Sequence, residues 1–217
     1  MIQEFGIEHA YDNHFEPYEP AEKDYLLHFT AAGCLARVTH VGGSDADAGD
    51  SGEVVELPRV ADYPCAPTDV TYLFSLGEER FFLALEERVA APAGFAYESV
   101  NWLRHAEPQH LLFAAATASQ LDRWYRDNRF CGRCGAPTEL GPSSREIVCP
   151  ECAKIVYPKI CPGAICAVVR LADDPVDDAI VLTRYAGRTT ALWALVAGFT
   201  EIGEPLEDTV RREVMEE

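Results

Sequence analysis

The feature that most constrains this chain is a pair of C-x-x-C motifs. They read "CGRCG" and "CPEC", are separated by fourteen residues, and contribute four cysteines: Cys131, Cys134, Cys149 and Cys152. Glycines such as Gly132 and Gly135 permit the positive φ of a tight turn, so four thiolates can converge tetrahedrally at about 2.3 Å from a Zn²⁺ ion. The spacing therefore predicts a zinc ribbon over residues 126–160 with one zinc ion per chain.

The alternatives to zinc for these C-x-x-C motifs are redox sites and disulfides. A redox motif normally occurs singly, and disulfides are rare in the reducing cytosol. With sulfur in all four ligand positions no site remains for water, so the zinc is predicted to be structural. The other four cysteines lack partner spacing, and we expect them to be small core residues: Cys34, Cys65, Cys161 and Cys166.

Composition limits what the chain can bind. Its 217 residues are 48% hydrophobic, which is enough for one large or two modest domains. No apolar run approaches the roughly 20 residues of a membrane span, and the N-terminus lacks a signal-peptide pattern, so cytoplasm is the expected location. A net charge of −18 repels phosphates, so an anionic substrate needs cations as intermediaries.

Residues 42–53, "GGSDADAGDSGE", are predicted to form a mobile loop.

The order of the apolar patterns indicates an α+β chain. Residues 1–125 contain the runs "YLLHFTAAGCLARVTHV", "TYLFSL" and "RFFLALEE", which are typical of strands in a mixed or antiparallel sheet. "PQHLLFAAATASQLDRWYRDNRF" has a helical period and leads into the ribbon. After the ribbon, "AICAVVRLADDPVDDAIVLTRY" places two β-branched runs around an acidic turn and predicts a hairpin.

The last twenty residues predict a helix with clustered acids. Pro205 suits the first position of a helix because its missing N–H is not needed there. At about 100° per residue, Glu213, Glu216 and Glu217 continue the apolar side of the helix, which carries Leu206, Val210 and Val214, whereas Met215 lies on the opposite side. A solvated run of charges would face the opposite way.

Three carboxylates on one inward stripe need a compensating cation. Each close pair repels by up to about 4 kcal/mol at 4 Å, and the C-terminal end of a helix disfavours anions. Hard oxygen ligands suit Mg²⁺ or Mn²⁺. The stripe therefore predicts a divalent-metal site.

The same residues resemble the Nudix box, G-x5-E-x7-R-E-U-x-E-E-x-G-U, where U is aliphatic. The matching letters run from Gly198 through Glu204 to the segment 212–217, "REVMEE". The resemblance implies that the box glutamates Glu213, Glu216 and Glu217 hold Mg²⁺ or Mn²⁺ against a diphosphate, with the Gly198 carbonyl as a further ligand. It also implies a structural pair between Arg212 and Glu204.

Ribbon and box together resemble the NAD(H) pyrophosphatases of the Nudix superfamily. This likeness implies hydrolysis of NADH or NAD⁺ to nicotinamide mononucleotide and AMP, removal of NAD caps from RNA by some members, and a homodimer. It also implies that a base stacks between Phe199 and Tyr157; for both residues a plain core role is the alternative. The expected domains are residues 1–125, 126–160 and 161–217, the last being the first half of an α/β/α sandwich.

The box pattern stops at Glu217, before its x-G-U end. We expect from this a fragment that is poorly active or inactive as written. One alternative is a zinc-ribbon module that binds RNA or protein beside a vestigial Nudix segment, although the ribbon is not a basic patch. Another is a Nudix hydrolase acting on ADP-ribose or dinucleoside polyphosphates.

Overall fold

The computed structural model describes residues 6, 10–41, 52–100, 106–184, 186 and 193–217. The chain forms two compact units, Met1–Pro158 and Lys159–Glu217. The predicted acidic loop at 42–53 lies outside the described residues except for its last two, which belong to a strand. No helix in the described ranges has both the length and the apolar character needed to cross a membrane. The domain boundaries expected at 125 and 160 stay predictions.

The first unit contains twelve described strands and one long helix. The strands are β1 Tyr11–Asp12, β2 Tyr25–Leu27, β3 Phe29–Thr30, β4 Gly33–Val41, β5 Gly52–Glu56, β6 Val70–Leu76, β7 Glu79–Ala84, β8 Ala96–Glu98, β9 Ala106–Glu107, β10 Glu139–Leu140, β11 Ile147–Val148 and β12 Ile155–Val156. Helix α1 spans Gln109–Asp127, and a short 3₁₀ helix spans Val60–Asp62.

One four-stranded sheet has the order β1-β6-β7-β2. Strand β7 pairs antiparallel with β6 and parallel with β2. Four successive residues of β7 are buried, from Phe81 to Ala84. A strand covered on both faces reads as a continuous apolar run, which is why "RFFLALEE" does not alternate.

The second sheet has the order β3-β4-β5-β9, with β8 also pairing with β4. Gly33 is required at its turn, since its φ is 138° and a Cβ there would lie 1.9 Å from the Glu98 carbonyl oxygen. The face of α1 that includes Leu111, Ala115 and Trp124 packs into the larger core cluster. The predicted sheet-rich region and the helix before the ribbon are therefore confirmed.

The second unit has short strands and one helix. Its elements are β13 Gly163–Cys166, β14 Val169–Arg170, a 3₁₀ helix Pro175–Asp177, β15 Ala179–Ile180, β16 Thr183–Arg184, β17 Trp193–Ala194, β18 Val196–Phe199 and α2 Leu206–Glu216. Strands β14 and β15 pair antiparallel around Pro175–Asp177, so the structure has the predicted hairpin. Strand β13 pairs with β18, and α2 packs on both. The fold is α+β, as predicted.

The expectation that four cysteines are core residues is wrong for most of them. Cys34 is fully buried, but Cys65 and Cys161 are exposed and Cys166 is half-buried. Cys34 lies on β4 between two sheet partners, whereas Cys65 and Cys161 lie in segments without strand or helix. The small size and low polarity of cysteine therefore do not by themselves determine whether these four side chains are buried.

Candidate functional site

The four ribbon cysteines form one cluster. Their sulfur atoms all lie within 4.8 Å of one another. The Sγ atoms of Cys131 and Cys152 are 3.6 Å apart, and those of Cys134 and Cys149 are 3.5 Å apart. A tetrahedral zinc site with bonds of about 2.3 Å needs sulfur atoms about 3.8 Å apart. The donor set and its spacing therefore fit a structural Zn²⁺.

Each pair of cysteines sits on a turn closed by backbone hydrogen bonds. In the first turn the Gly135 N–H donates to the Cys131 carbonyl at 2.8 Å, and in the second the Ala153 N–H donates to the Cys149 carbonyl at 2.9 Å. Gly135 and Ala153 have φ values of 77° and 55°. Gly132, which was expected to share this role, is not among the positive-φ residues. The second turn places alanine where the first has glycine.

Backbone N–H groups donate hydrogen bonds to the sulfur of Cys131. The Arg133 N–H donates to Cys131 Sγ at 3.4 Å. The backbone hydrogen bonds from Arg133 and Cys134 lower the pKa of Cys131 to about 6. Since zinc binds the thiolate and not the thiol, this environment favours the metal-binding form of Cys131. The pKa of Cys134 is raised instead, because a backbone hydrogen bond from Ala136, which lowers it, is outweighed by the contacts with the other cysteine sulfurs.

In the second unit, residues 200–205 form the loop that connects β18 to α2. Pro205 is the N-cap of α2, so the helix begins at Leu206, one residue later than predicted. Arg212 on α2 forms a bidentate pair with Glu204 in the loop, Nε to Oε1 at 3.0 Å and Nη2 to Oε2 at 2.9 Å. Arg212 Nη2 also donates to the Phe199 carbonyl at 2.9 Å. One guanidinium therefore ties both ends of the loop to the helix.

The pairing of Arg212 with Glu204 shifts the two pKa values in opposite directions. Its hydrogen bond is the largest cause that lowers the pKa of Glu204 to about 2. In return, the hydrogen bond to Glu204 raises the pKa of Arg212 above its usual value. Both groups therefore stay charged across the physiological pH range.

Glu213 lies against Gly198. A Cβ on Gly198 would lie 1.8 Å from the carboxyl carbon of Glu213 and 1.9 and 2.1 Å from its two oxygens. The Glu213 side chain is 14% exposed, and its Oε1 accepts from Arg212 Nη1 at 2.7 Å. The missing side chain at Gly198 is therefore what allows this carboxylate to lie on the backbone of β18.

The predicted stripe of three inward glutamates is not fully formed. The Glu216 side chain is 60% exposed and accepts from Arg212 Nη1 at 3.2 Å, and Glu217 is exposed at the C-cap of α2. Among the described residues, the cysteine cluster is the one group of three or more such side chains with all ligand atoms within 4.8 Å. Of the three, Glu213 is the one whose carboxylate lies against the backbone of β18.

These residues nevertheless fit a hard divalent cation. Glu213 places a carboxylate beside the Gly198 backbone, and the last turn of α2 presents Glu216 and Glu217 to solvent. Oxygen donors with a neighbouring open face are what Mg²⁺ and Mn²⁺ use when they also bind phosphates. Arg212 supplies the positive charge that Glu213 and Glu216 share in this structure.

The two aromatic candidates, Phe199 and Tyr157, lie in different units. Phe199 is exposed and ends β18. Tyr157 is exposed and follows β12 of the ribbon sheet, and an interaction with Glu146 raises the pKa of its hydroxyl. Both rings are exposed in this chain, and their role toward a base stays a prediction.

The contact between Thr209 and Glu204 was not predicted from the sequence. Thr209 is fully buried, and its hydroxyl lies 2.9 Å from Glu204 Oε2. The available signal was a threonine on the apolar side of an amphipathic helix, five residues after the glutamate that it contacts.

Two family models match the chain. Residues 126–157 match the NADH pyrophosphatase zinc ribbon domain, and residues 162–217 match the NUDIX domain. The first match contains the four-cysteine cluster, and the second contains the Gly198, Glu204 and Arg212 contacts.

Curated relatives carry the name NAD-capped RNA hydrolase NudC. One from Klebsiella pneumoniae is 40% identical over 103 residues, which cover 48% of this chain and 38% of the relative. One from Pseudomonas fluorescens is 32% identical over 163 residues, covering 75% of this chain and 54% of the relative. One from Pseudomonas aeruginosa is 33% identical over 142 residues, covering 65% and 48%. The chain thus spans about half the length of these relatives, or less.

Proposed function

Since this chain fits the NudC-like Nudix family with a zinc ribbon, we propose that the protein hydrolyses the pyrophosphate bond of NADH or NAD⁺. The products are nicotinamide mononucleotide, in its reduced or oxidised form, and AMP. Because these relatives are NAD-capped RNA hydrolases by name, the proposal extends to NAD caps on RNA. The observation that carries the proposal is Glu213, held by Arg212 against Gly198 within the NUDIX match.

The proposed metal ligands are Glu213, Glu216, Glu217 and the Gly198 carbonyl. A bound Mg²⁺ or Mn²⁺ would supply charge neutralisation at the pyrophosphate and an activated water. In a chain with a net charge of −18, such a cation reverses the local sign for an anionic dinucleotide. One of the three glutamates is proposed as the general base that takes a proton from the attacking water.

The remaining residues position the site. Arg212 fixes the loop through Glu204 and orients Glu213 through its other nitrogen. Phosphoryl chemistry depends mostly on such positioning and on charge stabilisation, because no activated carbonyl is involved. Phe199 and Tyr157 are proposed as aromatic surfaces for a base of the dinucleotide, since both rings are exposed.

Zinc is proposed to act through the fold of the ribbon. Tyr157 directly follows β12, and β12 pairs with β11, which leads into Cys149. Removing the metal would therefore loosen the strands that place Tyr157. We also propose a cytoplasmic location and a homodimer, which the family resemblance supports.

The function is tested by product analysis. Purified protein that contains these 217 residues within a chain as long as the relatives is incubated with NADH and Mn²⁺ or Mg²⁺, and products are separated by chromatography. We expect the reduced mononucleotide and AMP in equal amounts, and a loss of at least about 100-fold in kcat/KM for Glu213→Gln. Glu207→Gln, on the exposed first turn of α2, is the matched control and should stay within about 2-fold of wild type.

Products cleaved elsewhere, or full activity in Glu213→Gln, would contradict the proposal. Cleavage of ADP-ribose or dinucleoside polyphosphates in preference to NADH would move it to another Nudix substrate while leaving the metal site in place. RNA binding without any turnover would favour the zinc-ribbon binding module.

A further inference from the structure

The second unit buries very little, which makes one polar residue stand out. Among its described residues, Val196 and Thr209 are the buried side chains, and Thr209 is the one with no exposed surface. Burying a hydroxyl costs free energy unless it forms hydrogen bonds. An apolar residue would fill this position on an amphipathic helix at no such cost, so the hydroxyl of Thr209 needs a physical reason.

The contacts of Thr209 supply that reason. Its Oγ1 lies 2.9 Å from Glu204 Oε2, 3.2 Å from Thr200 Oγ1 and 3.3 Å from the Pro205 carbonyl oxygen. A hydroxyl has one hydrogen and can donate to one of these at a time. The contact with Glu204 is the shortest and has a charged acceptor, so it is the favoured one. Oγ1 then remains free to accept from the Thr200 hydroxyl.

This bond completes the surroundings of Glu204. Glu204 Oε2 also accepts from the Glu201 N–H at 3.1 Å and from Arg212 Nη2, while Oε1 accepts from Arg212 Nε. A carboxylate with donors on both oxygens has one preferred orientation. The same guanidinium that it holds donates to Glu213 and Glu216 through Nη1.

We propose that Thr209, paired with Thr200, is a positioning residue for the metal-binding carboxylates. Its hydroxyl fixes Glu204, Glu204 fixes the plane of the Arg212 guanidinium, and that guanidinium sets the orientation of Glu213. Thr209 itself lies under the loop and touches neither Glu213 nor Glu216 in any hydrogen bond of the described chain. This inference rests on the proposed function for the role of Glu213 as a metal ligand.

The test uses Thr209→Val, which keeps the shape and removes the hydroxyl, and Thr209→Ser, which keeps the hydroxyl. Mn²⁺ affinity is measured by titration calorimetry, the pKa of Glu204 by carbon-detected NMR, and the unfolding midpoint by heating. Thr209→Val should weaken Mn²⁺ binding by roughly 2- to 10-fold, the change that one net hydrogen bond gives, and should raise the pKa of Glu204. Thr209→Ser should keep the Mn²⁺ affinity and the pKa of Glu204 at their wild-type values.

Thr183→Val is the matched control, since it removes a threonine hydroxyl from β16 of the same unit. It should change neither Mn²⁺ affinity nor the pKa of Glu204. If Thr209→Val fails to fold, Thr200→Val takes its place, because Thr200 is only half-buried and contributes the other hydroxyl. It should shift both quantities in the same directions.

Unchanged Mn²⁺ affinity and an unchanged pKa of Glu204 in Thr209→Val overturn the inference, as does a lowered unfolding midpoint with both of these unchanged. A wild-type protein that binds no Mn²⁺ contradicts the proposed function instead. In that case a raised pKa of Glu204 in Thr209→Val still supports the link from Thr209 to Glu204, and an unchanged pKa overturns it.

Discussion

At the scale of single residues, Gly198 is important because it has no side chain. The Glu213 carboxylate occupies the space where any side chain on Gly198 would begin. We predict that Gly198→Ala displaces Glu213 and weakens Mn²⁺ binding by about 10-fold or more, because an overlap of this size cannot be relieved by small shifts. Titration calorimetry measures the change.

Gly52→Ala is the control for that substitution, because nothing lies within 4 Å of a Cβ built there. Equal Mn²⁺ affinity in Gly198→Ala and Gly52→Ala would show that the position of Glu213 does not depend on Gly198.

The two zinc turns provide a reciprocal pair of substitutions. Ala153 has φ 55° without being glycine, while Gly135 has φ 77° and no atom within 4 Å of a Cβ. Left-handed backbone costs a non-glycine residue about 1–2 kcal/mol. Ala153→Gly should therefore stabilise the zinc-bound protein by about 1 kcal/mol and Gly135→Ala should destabilise it by a similar amount, as measured by denaturant unfolding. Shifts of the same sign in both variants would contradict this explanation.

At the scale of elements, the loop before α2 is held by a salt bridge with a predictable pH dependence. Because Arg212 lowers the pKa of Glu204 from 4.5 to about 2, this ionised carboxylate stabilises the folded state above about pH 4.5. The contribution falls as the pH drops toward 2. The difference in unfolding free energy between wild type and Glu204→Gln should be constant above pH 5 and narrow toward zero near pH 2. A difference that is the same at pH 2 and pH 7 would contradict it.

The ribbon is an element whose strands depend on metal. Strands β10, β11 and β12 have two residues each, and Ile147 of β11 is buried in the larger core cluster of the first unit. We predict that Cys149→Ser, or removal of zinc by a chelator, lowers the unfolding midpoint of this unit, since short strands cannot persist without the cross-link. Cys65→Ser, at an exposed cysteine, should have no such effect. Equal midpoints in the two variants would show that zinc does not hold the ribbon.

The sequence predicted those elements whose pattern is local. The cysteine spacing, the helix before the ribbon and the hairpin at Pro175–Asp177 follow from neighbouring residues, and the structure contains all three. The helical period placed Glu213, Glu216 and Glu217 on one side of α2, but their exposure depends on which residues of the helix pack on β13 and β18. Thr209 could not be interpreted from its own segment, because its partners Thr200 and Glu204 belong to the loop.

At the scale of the whole molecule, the two units are stabilised differently. The first unit has both clusters of buried apolar residues. The second exposes large apolar side chains, including Ile165, Leu171 and Trp193. In this unit the polar contacts of Arg212 and Thr209 connect the loop before α2 to the helix.

The central claim is that this polar arrangement holds a divalent cation. The most direct measurement is calorimetric titration of Mn²⁺ into zinc-loaded wild type, Glu213→Gln, the double variant Glu216→Gln/Glu217→Gln, and the control Glu207→Gln. Wild type and the control should bind with equal affinity, and both site variants should bind at least about 10-fold more weakly, as expected when charged oxygen ligands are lost. Mn²⁺ affinity that is unchanged in Glu213→Gln and in the double variant would contradict the account.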